Sequence, residues 1–256
     1  MDLSRNISAI AIMHGLIYGE NDVVIETNGE CEFLKNALIG QVKEDQTAFQ
    51  NYGMSAVINY AQSALLDEET LDMCSISLNK HLSYIPGLKD EERGMYPKEE
   101  IDSMIAFSIK KIKNYGHNVF LQLPSKRTAS VSPLLDLSDV IAVCLPQNIH
   151  LIHEFFEKEE YKLIHKRIVY FIENYDPQSK YSKTNLIRAT KRLKRENVAT
   201  VPYYTPYYDA WISGTTIDFF ERNYECSPSD ENYDFIQSIK HCVHLLSLDE
   251  SDRSVV

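Results

Sequence analysis

Val140-Ile-Ala-Val-Cys-Leu145 and Ile168-Val-Tyr-Phe-Ile172 are two short, wholly apolar runs, and a helix is predicted between them over residues 147–158. Runs of this kind are typical of parallel strands that helices cover on both faces. A strand, a helix and a second strand in this order form a βαβ unit, which predicts a parallel sheet. This stretch therefore decides the fold class, which is α/β.

The same alternation of strands and helices continues on both sides of this stretch. Downstream, a strand is predicted over 198–201 and helices over 184–195, 207–221 and 232–246. Upstream, strands are predicted at 23–25, 82–85 and 119–121, and helices over 6–18, 45–65, 67–78 and 97–114. This pattern predicts a doubly wound, mostly parallel sheet flanked by helices, in a single domain over residues 1–256.

The composition is that of a soluble protein without a structural metal. Hydrophobic residues make up 44% of the 256 residues, and a net charge of −11 opposes non-specific binding to nucleic acid or anionic lipid. The five cysteines show no C-x-x-C spacing, which argues against a disulfide framework and a zinc site. With neither a signal-peptide pattern nor a run long enough to span a bilayer, the expected location is the cytoplasm.

Four segments follow one another from Asn118 onward: Asn118-Val-Phe-Leu-Gln-Leu-Pro124, Leu137 to Pro146, Ile168 to Asn174, and Val201-Pro202-Tyr203 with Ala210 and Gly214. They resemble the conserved segments of the MinD/ParA-like P-loop ATPases, including the strand that ends in an Asp-x-Pro switch. Upstream, Leu3 to Leu16 resembles the helix after the phosphate-binding loop, and Asp22 to Asn28 resembles the second strand. The resemblance implies a P-loop NTPase-like fold and, within the superfamily, the TadZ/CpaE branch that localises pili.

The positions that would carry nucleotide chemistry depart from this family pattern. No Gly-Lys dipeptide occurs in the chain, although a phosphate-binding loop needs that lysine. Gln122 stands where the resemblance places a magnesium-binding aspartate, and a neutral amide is a poor ligand for that ion. Glu26 and Asn28 stand where the family commonly has aspartates, and Asn28 cannot act as a general base. The sequence therefore predicts a pseudo-ATPase with no catalytic residue, no metal and no cofactor.

A vestigial nucleotide-binding set follows from the same resemblance: Ser4, Glu26, Asn28, Gln122, Asn174 and Pro202. Asn174 is the candidate for a contact with adenine, because it follows a strand at its carboxyl end, where ligands lie in open α/β sheets. The alternative for Asn174 is a turn residue in the sequence Asn-Tyr-Asp-Pro, which needs no ligand.

The resemblance provides no counterpart in this sequence for the strand that precedes the phosphate-binding loop in the family. That strand would lie in the middle of the sheet, and its loss would leave two buried strand edges unpaired, which is costly. Three explanations stay open: a start codon assigned too far downstream, a partner segment that fills the gap, or a rearranged strand order.

Two surface patches are candidate binding sites. Tyr203, Tyr204, Tyr207, Tyr208 and Trp211 concentrate aromatic side chains, which dominate protein interfaces, so they form a predicted partner surface. Arg188, Lys191, Arg192 and Arg195 share one face of the predicted helix 184–195 and form a possible nucleic-acid patch. A solvated helix face is the alternative for the basic patch. His150, His153 and Glu154 have helical spacing, but they are interpreted as a solvated surface rather than a metal site.

These observations favour a non-catalytic MinD/ParA-like positioning or scaffold protein that acts through contacts with another protein, either an active paralogue or a second copy of itself. One alternative is an ATPase whose phosphate-binding loop lies upstream of Met1, in which case ATP and magnesium would be its cofactors. The other alternative is a DNA-binding segregation protein that uses the basic patch, although the acidic net charge counts against it.

Overall fold

The computed structural model describes residues 3–27, 33–47, 52–97, 100–123, 132–158 and 166–247. The chain divides into two compact units. The first unit comprises Met1–Leu137 and Asp209–Glu221, and the second comprises Ser138–Tyr208 and Arg222–Val256. The prediction of a single domain over residues 1–256 stays a prediction.

The first unit contains the elements α1 Leu3–Tyr18, β1 Asp22–Glu26, α2 Phe33–Thr47, α3 Met54–Gln62, α4 Glu68–Cys74, β2 Ile76–Ser77, β3 Leu82–Ile85, α5 Asp90–Arg93, α6 Ile101–Lys113, β4 Asn118–Gln122 and α7 Ser132–Leu137. The second contains β5 Val140–Pro146, α8 Ile149–Lys158, β6 Arg167–Tyr175, α9 Lys183–Ala189, β7 Val198–Pro202 and α12 Tyr233–Ser247. The helices α10 Thr205–Ser213 and α11 Thr216–Asn223 include residues of both units.

The sheet of the first unit has the strand order β2-β3-β1-β4. The strand β1 pairs in parallel with β3 on one side and β4 on the other, and β2 is antiparallel to β3. All five residues of β1 are buried, as expected for a central strand that helices cover on both faces. One face of this sheet packs on a core that includes Met54, Ile58, Ile105 and Ile109 of α3 and α6.

The sheet of the second unit has the order β5-β6-β7, and all of its strands are parallel. Its core combines Tyr170 and Ile172 of β6 with Ile152 of α8 and Leu186 of α9. The α/β class with mostly parallel strands is therefore confirmed. The strands form two separate sheets rather than the one sheet expected, so β4 and β5 are each paired on one side only among the described residues.

The two helices predicted over 45–65 and 67–78 have different bounds in the structure. The helix predicted over 45–65 is replaced by α2 and α3, because Gly53, with φ at 96°, breaks the backbone before Met54. The helix predicted over 67–78 ends at Cys74, because the following residues pair with β3. Its cap is as predicted: the Asp67 carboxylate accepts a hydrogen bond from the Thr70 N–H at 2.8 Å. No helix within the described ranges is both long and apolar enough to span a membrane.

Candidate functional site

The carboxyl edge of the first sheet brings together three of the residues predicted to form the nucleotide site. Glu26 ends β1 and lies in register with Gln122, which ends β4, because parallel strands finish at the same edge. Ser4, near the start of α1, is buried, and its Oγ accepts a hydrogen bond from Gln122 Nε2 at 3.1 Å. We call Ser4, Glu26, Thr27, Tyr84 and Gln122 the carboxyl-edge cluster.

Glu26 is the carboxyl group of this cluster, and its side chain is directed into the protein. The residue is 4% exposed, and its Oε2 accepts a hydrogen bond from the Tyr84 hydroxyl at 2.8 Å. Burial raises the pKa of Glu26 from its ordinary value of 4.5 to about 7, and the Tyr84 hydrogen bond offsets part of that rise. The carboxyl group is therefore protonated in about half of the molecules at neutral pH.

Gln122 and Thr27 connect the ends of β4 and β1. The Thr27 hydroxyl donates to the Gln122 main-chain carbonyl at 2.8 Å, and the Thr27 N–H reaches the same oxygen at 3.4 Å. Within the described part of the chain, the buried side-chain oxygen of Gln122 has no hydrogen-bond partner. The amide is thus oriented by Ser4 with its nitrogen toward α1.

Arg93 supplies a positive charge that the sequence did not reveal. Arg93 ends α5, a four-residue helix that was not predicted. Its Nη2 donates a hydrogen bond of 2.5 Å to the Thr27 carbonyl. Tyr84 and Thr27 were missed as well, because the strand pattern of 82–85 identifies a buried tyrosine but not the group that its hydroxyl meets. The sequence contains no local signal for either contact.

The remaining nucleotide-site candidates are not part of this cluster. Asn174 and Pro202 belong to the second unit, and Asn28 lies outside the described residues. Asn174 is exposed and has φ at 47°, a left-handed conformation that asparagine tolerates. It coincides with a shift of register, after which Tyr175 pairs with Pro202. Asn174 therefore lies at an irregularity within β6, and its contact with adenine stays a prediction.

The predicted aromatic partner surface is wrong for two of its five residues. Tyr207 is 4% exposed and Trp211 is 6% exposed, so neither ring can form much of a contact surface. The Tyr207 ring stacks on Phe235 of α12 with ring centroids 5.1 Å apart, and the Trp211 ring lies 6.1 Å from that of Phe33. Both side chains are buried because large aromatic rings contribute more hydrophobic free energy than smaller side chains do when they leave water.

The other three tyrosines of that surface remain at least partly accessible. The Tyr204 hydroxyl donates to Asn232 Oδ1 at 2.8 Å, while the Tyr204 ring stacks on Phe235 at 4.9 Å. Tyr203 is 52% exposed and its ring lies 5.8 Å from that of Tyr208. The predicted partner surface is therefore reduced to Tyr203 and the accessible parts of Tyr204 and Tyr208.

The predicted basic helix face is also wrong. The helix α9 ends at Ala189, where Thr190 becomes extended and its hydroxyl donates to the Leu186 carbonyl. Of the four basic residues only Arg188 lies on α9, and Lys191, Arg192 and Arg195 follow in a turn. All four are exposed, but they do not share one helical face.

The histidine and glutamate side chains of α8 are all at the surface. His150, His153 and Glu154 are exposed, and Glu154 pairs with Lys158 at 2.6 Å. Within the described ranges, no group of three or more His, Cys, Asp and Glu side chains is arranged to hold a metal ion.

The carboxyl-edge cluster does not fit a magnesium ion. Magnesium takes hard oxygen ligands and is usually held in proteins by ionised carboxylates together with water and phosphate. Here the single carboxyl of the cluster is buried, hydrogen-bonded to Tyr84 and half protonated at neutral pH. The neutral Gln122 presents its nitrogen to Ser4.

Comparison with known proteins supports the fold over nearly the whole chain. A ParA family ATPase from Chlorobium tepidum superposes with a TM-score of 0.69 at 12% identity, covering 95% of this chain and 92% of that one. MinD in the MinC:MinD complex of Aquifex aeolicus gives a TM-score of 0.60 at 12% identity, with 95% and 89% covered. A plasmid partition protein from Borrelia burgdorferi, bound to AMPPNP, gives 0.60 at 17% identity, with 93% and 90% covered.

The family comparison matches a shorter part of the chain. Residues 77–205 match the family model described as the Ku70/Ku80 N-terminal alpha/beta domain. The matched range begins in β2 and ends at the start of α10, so it includes strands of both sheets. The ParA and MinD structures cover far more of the chain, and the overall fold is therefore described by them. No curated protein matches the sequence.

Proposed function

We infer that this chain is a non-catalytic positioning or scaffold protein. It belongs to the family described as the Ku70/Ku80 N-terminal alpha/beta domain, and it has the fold of ParA and MinD proteins. It acts through contacts with other proteins. Its role would be to mark a site for a larger assembly, as the resemblance to the pilus-localising TadZ/CpaE branch suggests.

The observation that carries this proposal is that side chains of the carboxyl-edge cluster form hydrogen bonds with one another. Phosphoryl transfer depends mainly on positioned positive charge and a metal ion that neutralise the phosphates. In this cluster the groups that would face a nucleotide bond to one another instead, Gln122 to Ser4 and Tyr84 to Glu26. Donors that are already paired gain little from binding phosphate. The side-chain oxygen of Gln122, which has no partner among the described residues, is an acceptor and offers no hydrogen to a phosphate oxygen.

Action through protein contacts is supported by two further observations. The Aquifex relative of similar fold is seen in a complex of MinC with MinD. In this chain, Tyr203 leaves about half of its surface exposed beside the partly accessible Tyr208, and exposed tyrosines are common anchors of protein interfaces.

The first test is ATP hydrolysis by the purified chain. We expect no magnesium-dependent turnover, because the cluster has neither a lysine nor an ionised carboxylate directed at a phosphate. The Gln122→Asp variant is the matched control, since it restores one carboxylate but not the lysine and should remain inactive. Wild-type turnover above about 0.01 per second, the scale of slow GTPases, would contradict the proposal.

The second test is the effect of nucleotide on association. A protein that does not bind phosphates between subunits should keep the same mass in solution with and without Mg-ATP, as measured by light scattering. Gln122→Asp again serves as the control and should behave like the wild type. A mass that rises only when Mg-ATP is present would show that nucleotide bridges two subunits, and the scaffold proposal would have to be abandoned.

A further inference from the structure

The strand β4 lies at one edge of the first sheet. It pairs with β1 on one side, and no other strand among the described residues pairs with its other side. All five of its residues are partly exposed, whereas all five residues of β1 are buried. An open edge of this kind presents unpaired N–H and C=O groups to any strand that can approach it.

The backbone groups that face this open edge can be identified. The Asn118 N–H donates to the Asn21 carbonyl at 3.0 Å, and the Gln122 carbonyl accepts from Thr27 on the same side of the strand. Successive residues of a strand direct their backbone groups to alternate sides. Val119 and Leu121 therefore direct their N–H and C=O groups away from β1, toward the open edge.

The side chains of β4 are those of an interior strand. Val119 and Leu121 pack against the core on one face, and the Phe120 ring lies 5.2 Å from the His14 ring on the other face. Natural edge strands are usually protected by a charge, a proline or a bulge. The strand Asn118–Gln122 contains no charged residue and no proline, and its register with β1 is continuous.

The sequence of β4 is complementary to itself when two copies run antiparallel. Asn-Val-Phe-Leu-Gln has amides at both ends, branched aliphatic residues inside them and an aromatic residue at the centre. With Phe120 at the centre, Val119 lies opposite Leu121 of the second copy. Each of these pairs exchanges two hydrogen bonds, and the two Phe120 side chains form the closer, non-hydrogen-bonded pair.

We propose that β4 is a dimerisation strand, which joins the four-stranded sheets of two copies of this chain through antiparallel pairing centred on Phe120. The arrangement has two-fold symmetry and uses the same surface on both copies, so it closes as a dimer. The strand at the other edge of the sheet, β2, has only two residues and offers little for further growth. This inference stands on the sheet edge, and its test does not depend on ATP hydrolysis.

The main test is sedimentation equilibrium of the full chain over a range of concentrations, compared with Phe120→Lys. Lysines directly opposite each other repel, and the aromatic pair is lost, so the dissociation constant should rise about tenfold or more. Phe107→Lys is the matched control: it makes the same change at a residue of α6 that is 47% exposed and does not belong to β4. Its dissociation constant should equal that of the wild type.

Hydrogen exchange of the wild-type protein provides a second measurement that does not depend on how the variant folds. The Val119 and Leu121 amides should become protected as the protein concentration rises, while the Asn118 amide, bonded to Asn21, should be protected throughout. A monomeric wild type, exposed Val119 and Leu121 amides at all concentrations, or a dimer equally strong in a well-folded Phe120→Lys would each overturn the proposal. The last result would place the interface elsewhere, for example on β5.

Discussion

Replacing Gly214 by alanine is expected to lower the free energy of unfolding by about 3–5 kcal/mol, the range of severe overpacking combined with backbone strain. Gly214 has φ at +72°, where a side chain is strained, and an added Cβ would lie 2.5 Å from the Gly40 Cα and 2.7 Å from the Asn36 carbonyl oxygen. These are backbone atoms of α2, so no side-chain rotation can relieve the contact. Gly40 itself has φ at 65° at a kink in that helix.

Gly116→Ala is the matched control for this prediction. Gly116 has φ at +79°, but an added Cβ would meet nothing within 4 Å. Its substitution therefore measures the cost of the left-handed backbone alone, which is about 1 kcal/mol. Urea unfolding of the two variants and the wild type provides the comparison. Equal losses at both glycines would show that the close approach of Gly214 to α2 does not limit stability.

Glu26→Gln is expected to stabilise the protein by about 3 kcal/mol at pH 8 and to have little effect at pH 4, because the folded state holds the Glu26 proton more tightly than the unfolded state does. The pKa is raised by burial to about 7 from 4.5. Below pH 4.5 the Glu26 carboxyl is mostly protonated in both states, so folding buries no charge at this position. Between pH 4.5 and 7 the unfolded state loses its proton first, so stability falls as the pH rises. Above pH 7 the full cost of burying the charge persists.

The glutamine variant removes the ionisable group and keeps an oxygen that can accept the Tyr84 hydrogen bond. Glu91→Gln, at an exposed position of α5, makes the same chemical change without burial and should leave the stability unchanged at both pH values. The measured quantity is the difference in unfolding free energy between variant and wild type at each pH. A difference for Glu26→Gln that is the same at pH 4 and pH 8 would show that Glu26 titrates normally.

Local patterns in the sequence were sufficient for the fold class and for most of its elements. The apolar run 168–172 identifies β6 because a strand covered on both faces needs apolar residues at every position. Asp67 identifies the start of α4 because a cap depends on residues only three positions apart. That Gln122 stands where the resemblance places an aspartate was likewise inferred without coordinates, from one residue within one segment, and it stays a prediction.

The end of α9 and the burial of Tyr207 were not predictable in this way. The segment 184–195 has residues that suit a helix, and the hydrogen bond from Thr190 to Leu186 that accompanies its end depends on local geometry that composition does not reveal. The aromatic cluster near Tyr207 was interpreted as surface because a pattern of tyrosines does not show which rings meet Phe235 of α12. Burial depends on partners that are distant in the sequence.

The sequence by itself determined an α/β protein whose strands are mostly parallel. The tertiary structure alone decided that the strands form two sheets, that Gly214 lies against α2, and that Glu26 holds its proton near neutral pH. The physical reason is range. Periodicity and capping act over one or two turns, whereas the pKa of Glu26 depends on burial and on a tyrosine 58 residues away.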